Sequence, residues 1–386
     1  MSHRKPPIIE SFWGAFISTF HAIFTDKAVL SVMIGAVILY SFVYPLGYQE
    51  QVASKQPIYI VDHDRSALSR ELTRKIQGVS AVQVEAVVSN AGEAIQAVRA
   101  VKIQGYVEIP ANFEQSLWRG TPADIALFAN GASLGHASAV MNGLAQAITH
   151  FAQNMAIKQA SFADAGIQPP FQLVERPLYN TREGYGSFVV TGVAQLIIQQ
   201  TLLVGLAVLA GTRRELYGRI FLKNKQIMGM GFAAICVGTV NMLYYLGFMF
   251  WMQDYPQHAS LMNILLGSLL FITAVVAFGL FITSFFRTRE RAFQLILVSS
   301  LPLFFLSNLS WPEASSPTWL VYLSKIIPST PGINLLVKIT QYGAPLSVAK
   351  KEIINLVVLI LIYGALGWFR YHLYKAGSPF KEPHRA

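Results

Sequence analysis

Apolar residues along this chain fall into one run near the N-terminus, a long polar stretch, and five further runs crowded into the second half. A bilayer core needs about 20 apolar residues of helix, and an uncharged run of about 18 or more reads as a span. Residues 28–46 satisfy that without a single charge, and 187–210, 227–252, 260–286, 292–306 and 353–368 follow. The pattern predicts an α-helical polytopic membrane protein with six transmembrane helices and a domain inserted after the first of them.

Composition sharpens this: 53% of the 386 residues are hydrophobic, 13% are charged, and the formal net charge is +10. On a soluble protein such a charge would suggest nucleic acid, so its placement decides. It sits between spans, which argues for a lipid bilayer and against nucleic acid as partner. Arg213, Arg214, Arg219, Lys223 and Lys225 stand in 211–226 against Glu215 alone, and Arg287, Arg289 and Arg291 follow the fourth run against Glu290. The positive-inside rule assigns these segments to the cytoplasm. Arg4 and Lys5, with Arg370, Lys375, Lys381 and Arg385, assign both termini to the same side, as six spans require. Residues 47–186, nearly balanced in charge, then form an inserted extracytoplasmic domain.

The first run has no small-residue cleavage pattern after it and begins far into the chain, so it reads as a retained span. Before it, Ile9, Phe12, Trp13, Phe16, Phe20 and Ile23 recur at helical spacing among Glu10, Ser11, Ser18, Thr19 and His21. Such a helix either lies in the membrane interface or packs on its own protein. The single cysteine, Cys236, falls in a span, so no internal disulfide forms and the inserted domain is held by its core.

That domain reads as strands and helices in alternation, an α/β module. Strands are expected at 57–62, 82–88, 105–109 and 123–129, and helices at 66–77, 91–101, 110–118 and about 136–159, with an extended return over 171–178. Ala139, Leu144, Ile148, Phe151 and Met155 are the expected inner positions of the last helix. Asp62-His63-Asp64 has ligand-type residues, but consecutive strand positions point to different sides, which favours a solvated turn over a metal site.

The eight histidines show no His-Glu-x-x-His spacing, and neither Gly-x-Ser-x-Gly nor a Gly-x-x-x-x-Gly-Lys-Ser/Thr loop occurs. ATP hydrolysis by the common phosphate-loop route therefore needs another subunit. Polar residues inside spans are the better clue, because each is costly in lipid. Thr191, Gln195 and Gln199 share a helix face, with Gln200 beside them, and Asn241, Asn263 and Gln294 add further amides. These either bond across helix interfaces or line a pathway. No acidic residue lies mid-span, so ion-coupled transport has no evident relay.

Asn308-Leu309-Ser310-Trp311-Pro312 is followed by Pro317-Thr318-Trp319-Leu320 and by Ile327-Pro328-Ser329-Thr330-Pro331-Gly332. Proline breaks helix interiors and tryptophan favours the headgroup level, so 308–350 is expected to form re-entrant or interfacial helices at the outer surface. Here the chain resembles the permease subunits of ABC-2 type exporters, whose Pro-x-Trp-Leu element, downstream proline and short hairpin correspond to Pro317, Trp319, Leu320 and Pro328. The resemblance covers essentially the whole chain. Ile109-Pro110-Ala111-Asn112-Phe113 followed by Gly120 is similar to an Ile-Pro-x-x-Phe element of the subgroup with large periplasmic insertions. The family's first cytoplasmic loop commonly reads Glu-Arg-Glu-x-Gly-Thr; Gly211-Thr212-Arg213-Arg214-Glu215 matches it in part.

The resemblance implies a cytoplasmic interfacial helix over 1–27, a first span at 28–46, an outer domain over 47–186, five spans within 187–373 and a cytoplasmic tail over 374–386. It implies a permease without enzymatic activity or cofactor of its own, in a bacterial inner membrane. ATP and Mg²⁺ are then handled by a partner ABC ATPase, beside a second permease and a membrane-fusion adaptor. The substrate class is a drug, lipid or other amphiphile. Residues 211–226, with Gly211, Thr212, Arg213, Arg214, Glu215 and Leu216 foremost, would receive motion from the ATPase, or else form a solvated basic loop. Thr191, Gln195, Gln199 and Asn241 would line the substrate path or the dimer interface. The hairpin with Trp311, Pro312, Pro317, Trp319 and Pro328 would gate or support the outer side, or merely anchor it. Two rival classes are a receptor or scaffold whose outer domain binds a ligand or protein, and an intramembrane enzyme, for which acid/base groups are missing.

Overall fold

The computed structural model describes residues 11–48, 55–130, 134–162, 185–217, 223–255, 257–286, 288–307, 309 and 313–373. The expectations for Arg4, Lys5, Ile9, 171–178, Arg219, Arg287 and the tail fall outside these residues. The chain divides into two units, one made of Met1–Gln49 with Leu178–Ala386, the other of Glu50–Pro177.

The first unit opens with α1, Phe12–Thr25, capped by Ser11, whose hydroxyl accepts the Gly14 N–H at 2.9 Å. Asp26 ends it and caps α2, Lys27–Leu46, accepting the N–H groups of Ala28 and Val29 at 3.0 and 3.3 Å. Within α2, Ser31–Gly35 is wound as a π-helix.

The second unit follows in the chain: β1 Gln56–Asp62, α3 Ala67–Gln77, β2 Val82–Val88, α4 Ala91–Arg99, β3 Gly105–Ile109, α5 Phe113–Trp118, β4 Ala126–Ala129 and α6 Leu134–Phe162. The strand order is β2-β1-β3-β4, parallel except for the antiparallel pair β3 and β4. The parallel strands are joined through helices, as parallel pairing requires. On one face Ile58, Ile60, Val107 and Ile109 pack with Leu72 and Ile76 of α3 and with Val140, Leu144, Phe151 and Met155 of α6. On the other, Val61 and Tyr106 meet Ala94 of α4. Asp62 is spent on structure: its carboxylate accepts the N–H groups of Asp64 and Arg65 at 3.0 and 2.9 Å and the Ser69 hydroxyl at 2.7 Å. His63 pairs with Glu108 at 3.0 Å, and Asp64 accepts the Glu114 N–H at 3.0 Å. This is the turn that the side-chain directions implied.

The chain then re-enters the first unit with α7 Tyr185–Tyr217, α8 Asn224–Met252, α9 Leu261–Thr283, α10 Arg289–Leu306, α11 Thr318–Ser324, α12 Ser329–Thr340 and α13 Lys350–Leu373. The π-wound stretch Tyr244–Met249 lies within α8. At 33 residues α7 is about 50 Å long, well beyond a hydrocarbon core of about 30 Å. It is also the central helix: 89% of its span is buried, against 28% for α2 and 22% for α13.

Two features differ from the sequence expectation. Among the described residues, five helices are long and apolar enough to cross a membrane, α2, α7, α8, α9 and α13, and six if the bent pair α11 and α12 counts as one. Helix α10 exists, but it begins Arg289-Glu290-Arg291, which shortens its apolar part below a standard span. And 211–217 is helix rather than loop, the last two turns of α7.

Candidate functional site

The end of α7 that carries 211–216 is where separate elements lock together. Arg289, the first residue of α10, reaches back to Asp26 with two guanidinium N–H groups, each 3.2 Å from a different carboxylate oxygen. A third contact runs from Arg289 to the Thr212 hydroxyl at 3.4 Å. The backbone N–H of Arg289, one of the unsatisfied donors at a helix start, is accepted by Glu215 at 2.9 Å. Glu215 thus caps α10 from the end of α7, while Asp26 caps α2 and holds α10. Gly211 permits this approach: a Cβ there would lie 2.7 Å from both the N and Cα of Arg289.

Helix α1 is tied in as well. Arg213 donates to the Thr19 hydroxyl at 3.1 Å, and a second N–H meets Met230 Sδ. Gly229 of α8 lets α1 lie against it; a Cβ there would stand 2.8 Å from that of Ala15. Ala15, Thr19 and Ile23 are buried, whereas Trp13, Ile17, Phe20 and Phe24 are exposed on the other face. One face of the amphipathic helix therefore packs on its own protein, and the apolar side chains of the other face are left uncovered.

Of the six residues expected to meet an ATPase, most face inward. Gly211 is buried, Thr212 bonds to the Val208 carbonyl at 2.9 Å, Arg213 spans to α1, and Arg214 is only 9% exposed. Glu215 and Leu216 are exposed. The segment is built to hold neighbouring helices and shows a partner only its last residues.

Thr191, Gln195, Gln199 and Asn241 are all buried within the single chain, the two glutamines completely. They offer no surface to a second copy in this arrangement. Asn241 donates to the Met33 carbonyl at 2.7 Å, a cross-helix bond landing in the π-wound part of α2. Tyr244, opening the π-wound part of α8, meets the Ser41 hydroxyl at 2.8 Å. Such turns recur where helices adjust to function. Among the described residues, the side-chain amides of Gln195, Gln199 and Gln200 find no hydrogen-bond partner. Buried polar groups left this way require a reason.

In the hairpin, Pro317 and Pro328 stand immediately before α11 and α12, which cross at 83°. Trp319 is 67% exposed, as an interfacial anchor would be. The Tyr363 hydroxyl donates to the Ile326 carbonyl at 2.8 Å, pinning the break to α13, and Thr330 donates to the Leu306 carbonyl at 2.9 Å. Trp311 and Pro312 lie outside the described residues.

Sequence reasoning passed over Asp26 and read Arg289 only as a topological charge. An acidic residue just before an apolar run was a legible cap signal; its partner far along the chain was not. Among the described residues no group of His, Cys, Asp or Glu is placed to hold a metal ion.

Residues 27–369 match the family described as ABC-2 family transporter protein. Two proteins of Escherichia coli (strain K12) are similar along nearly the whole length. One, named "Probable multidrug ABC transporter permease YbhR", is 22% identical over 362 residues, 92% of this chain and 96% of that protein. The other, named "Probable multidrug ABC transporter permease YbhS", is 22% identical over 351 residues, 89% and 91% respectively.

Proposed function

Because the chain belongs to the ABC-2 family of transporter proteins, we propose that it is the permease subunit of an ATP-driven exporter, paired with a second permease and served by a separate cytoplasmic ATPase. The basic ends of α7 and α10 then face the cytoplasm with both termini, and the unit Glu50–Pro177 lies outside. In this topology α10 is the sixth, short span, and α11 with α12 is a re-entrant outer hairpin. The substrate is an amphiphile, in keeping with the multidrug names of the two relatives, and a membrane-fusion adaptor accompanies the complex.

The observation that carries the reading is the junction of α1, α2, α7, α8 and α10 around Arg213, Glu215 and Arg289. A push on the exposed Glu215 and Leu216 is delivered at once to α10 through the cap and to α2 through Asp26. That is what a permease needs to turn ATPase closure into helix motion. Gln195 and Gln199 serve the substrate route from inside the protomer, becoming accessible as α7 shifts.

The test is purification of the tagged chain in mild detergent from its native host, with mass spectrometry of what accompanies it. Recovery of a phosphate-loop ATPase supports the exporter. Recovery of the chain alone, under conditions that keep other membrane complexes whole, would favour a receptor or scaffold.

A further inference from the structure

The unit Glu50–Pro177 contains a basic cleft of 490 Å³ between the end of α3 and the middle of α6. Arg74, Lys75 and Ser80 line one side, Gln146 and His150 the other, and no carboxylate is among the lining residues. Gly143 sets the spacing: a Cβ there would lie 2.9 Å from the Ala81 Cβ and 3.1 Å from Val79 Cγ1. The close approach of α6 brings Gln146 and His150, one helical turn apart on one face, opposite Arg74 and Lys75.

The charges in this cleft are uncompensated. Glu71 stands three and four residues before Arg74 and Lys75, the helical spacing that would neutralise them. Its carboxylate is instead taken by Lys158 of α6, at 3.1 Å. Among the described residues, Arg74, Lys75 and His150 form no ion pair, and with Ser80 and Gln146 they are exposed and make no side-chain hydrogen bond within the protein, so their donors face solvent in the cleft. A guanidinium fork, an ammonium, an imidazole, an amide and a hydroxyl converging from two walls suit a compact anion with several acceptor oxygens. The volume is that of a small-ligand site, enough for a phosphoryl group with a short substituent.

We propose that this cleft binds a phosphate group, carried either by a soluble phosphorylated molecule or by an anionic lipid headgroup. The assignment does not depend on the transport reading.

The full-length protein, in detergent and in phosphatidylcholine nanodiscs, is titrated with inorganic phosphate and followed by phosphorus NMR line broadening. A second arm counts phosphatidylglycerol retained in native mass spectra from nanodiscs containing it. Arg74→Ala/Lys75→Ala should weaken binding at least about tenfold, with Arg119→Ala, an exposed cation outside the cleft, unchanged. Arg74→Gln/Lys75→Gln keeps the side-chain stems and should behave the same, with an unaltered melting midpoint as the check on folding. Saturable phosphate binding lost in both variants identifies a soluble ligand; retention of phosphatidylglycerol alone, lost in both, identifies a headgroup. Binding indifferent to the double variants, or none in either arm, overturns the site.

Discussion

Asp26 and Arg289, 263 positions apart in the chain, meet in a two-pronged ion pair with both N–H to oxygen distances at 3.2 Å. Each partner has a second task, Asp26 capping α2 and Arg289 presenting the N–H that Glu215 accepts. Three helix ends therefore depend on one pair.

Asp26→Asn or Arg289→Gln should each destabilise the protein by about 1–2 kcal/mol, less than a fully buried pair because the side chains are 21% and 33% exposed. A double-mutant cycle on thermal unfolding should show a clear coupling term. In the reconstituted exporter both variants should release ATPase activity from its dependence on substrate. Full coupling in both variants would remove the junction from the mechanism.

Gly211→Val and Gly229→Val should each cost about 1–3 kcal/mol, since a side chain at either must displace backbone of α10 or α1. Gly364→Ala, where a Cβ meets nothing within 4 Å, should be neutral or slightly stabilising. Melting midpoints in one detergent decide this.

Gln195→Leu and Gln199→Leu remove amides that have no partner among the described residues, so stability should hold or rise by about 1 kcal/mol while the range of exported compounds changes. Asn241→Leu, which deletes the cross-helix bond to the Met33 carbonyl, should instead lower stability by about 1 kcal/mol. If all three behave alike, the glutamines are bound partners in the folded bundle and the route does not run along them.

Tyr363→Phe deletes the bond to the Ile326 carbonyl and should loosen the turn between α11 and α12. Faster hydrogen exchange over 325–331, with little change elsewhere, is the expected reading.

The helices were legible because apolar runs dominate their stretches, and the strands because short β-branched runs alternate with capped helices: Ser66 and Asn90 sit where caps were needed. Leu144, Phe151 and Met155 proved inner positions, and Val140 joined them. The apolar run 292–306 was found as a helix, but its start was placed late because Arg289-Glu290-Arg291 reads as a loop until Thr288 is seen to cap it. The shape of the candidate site was not readable. Which way Arg213 or Gln195 points is set by the neighbours of α7, and those neighbours come from both ends of the sequence.

The divided build of the membrane unit has a consequence for synthesis. At roughly 5–20 residues per second, Asp26 waits roughly 13 to 50 s for Arg289 to be made, across the 263 positions that separate them. For most of that interval Met33 and Ser41 of α2 have neither Asn241 nor Tyr244 to meet. The first span must therefore persist as a solitary helix, its inner face turned to lipid or to a chaperone, while the whole unit Glu50–Pro177 is translated. Biogenesis of this permease is thus most exposed to failure early, before the helix that will hold it together has left the ribosome.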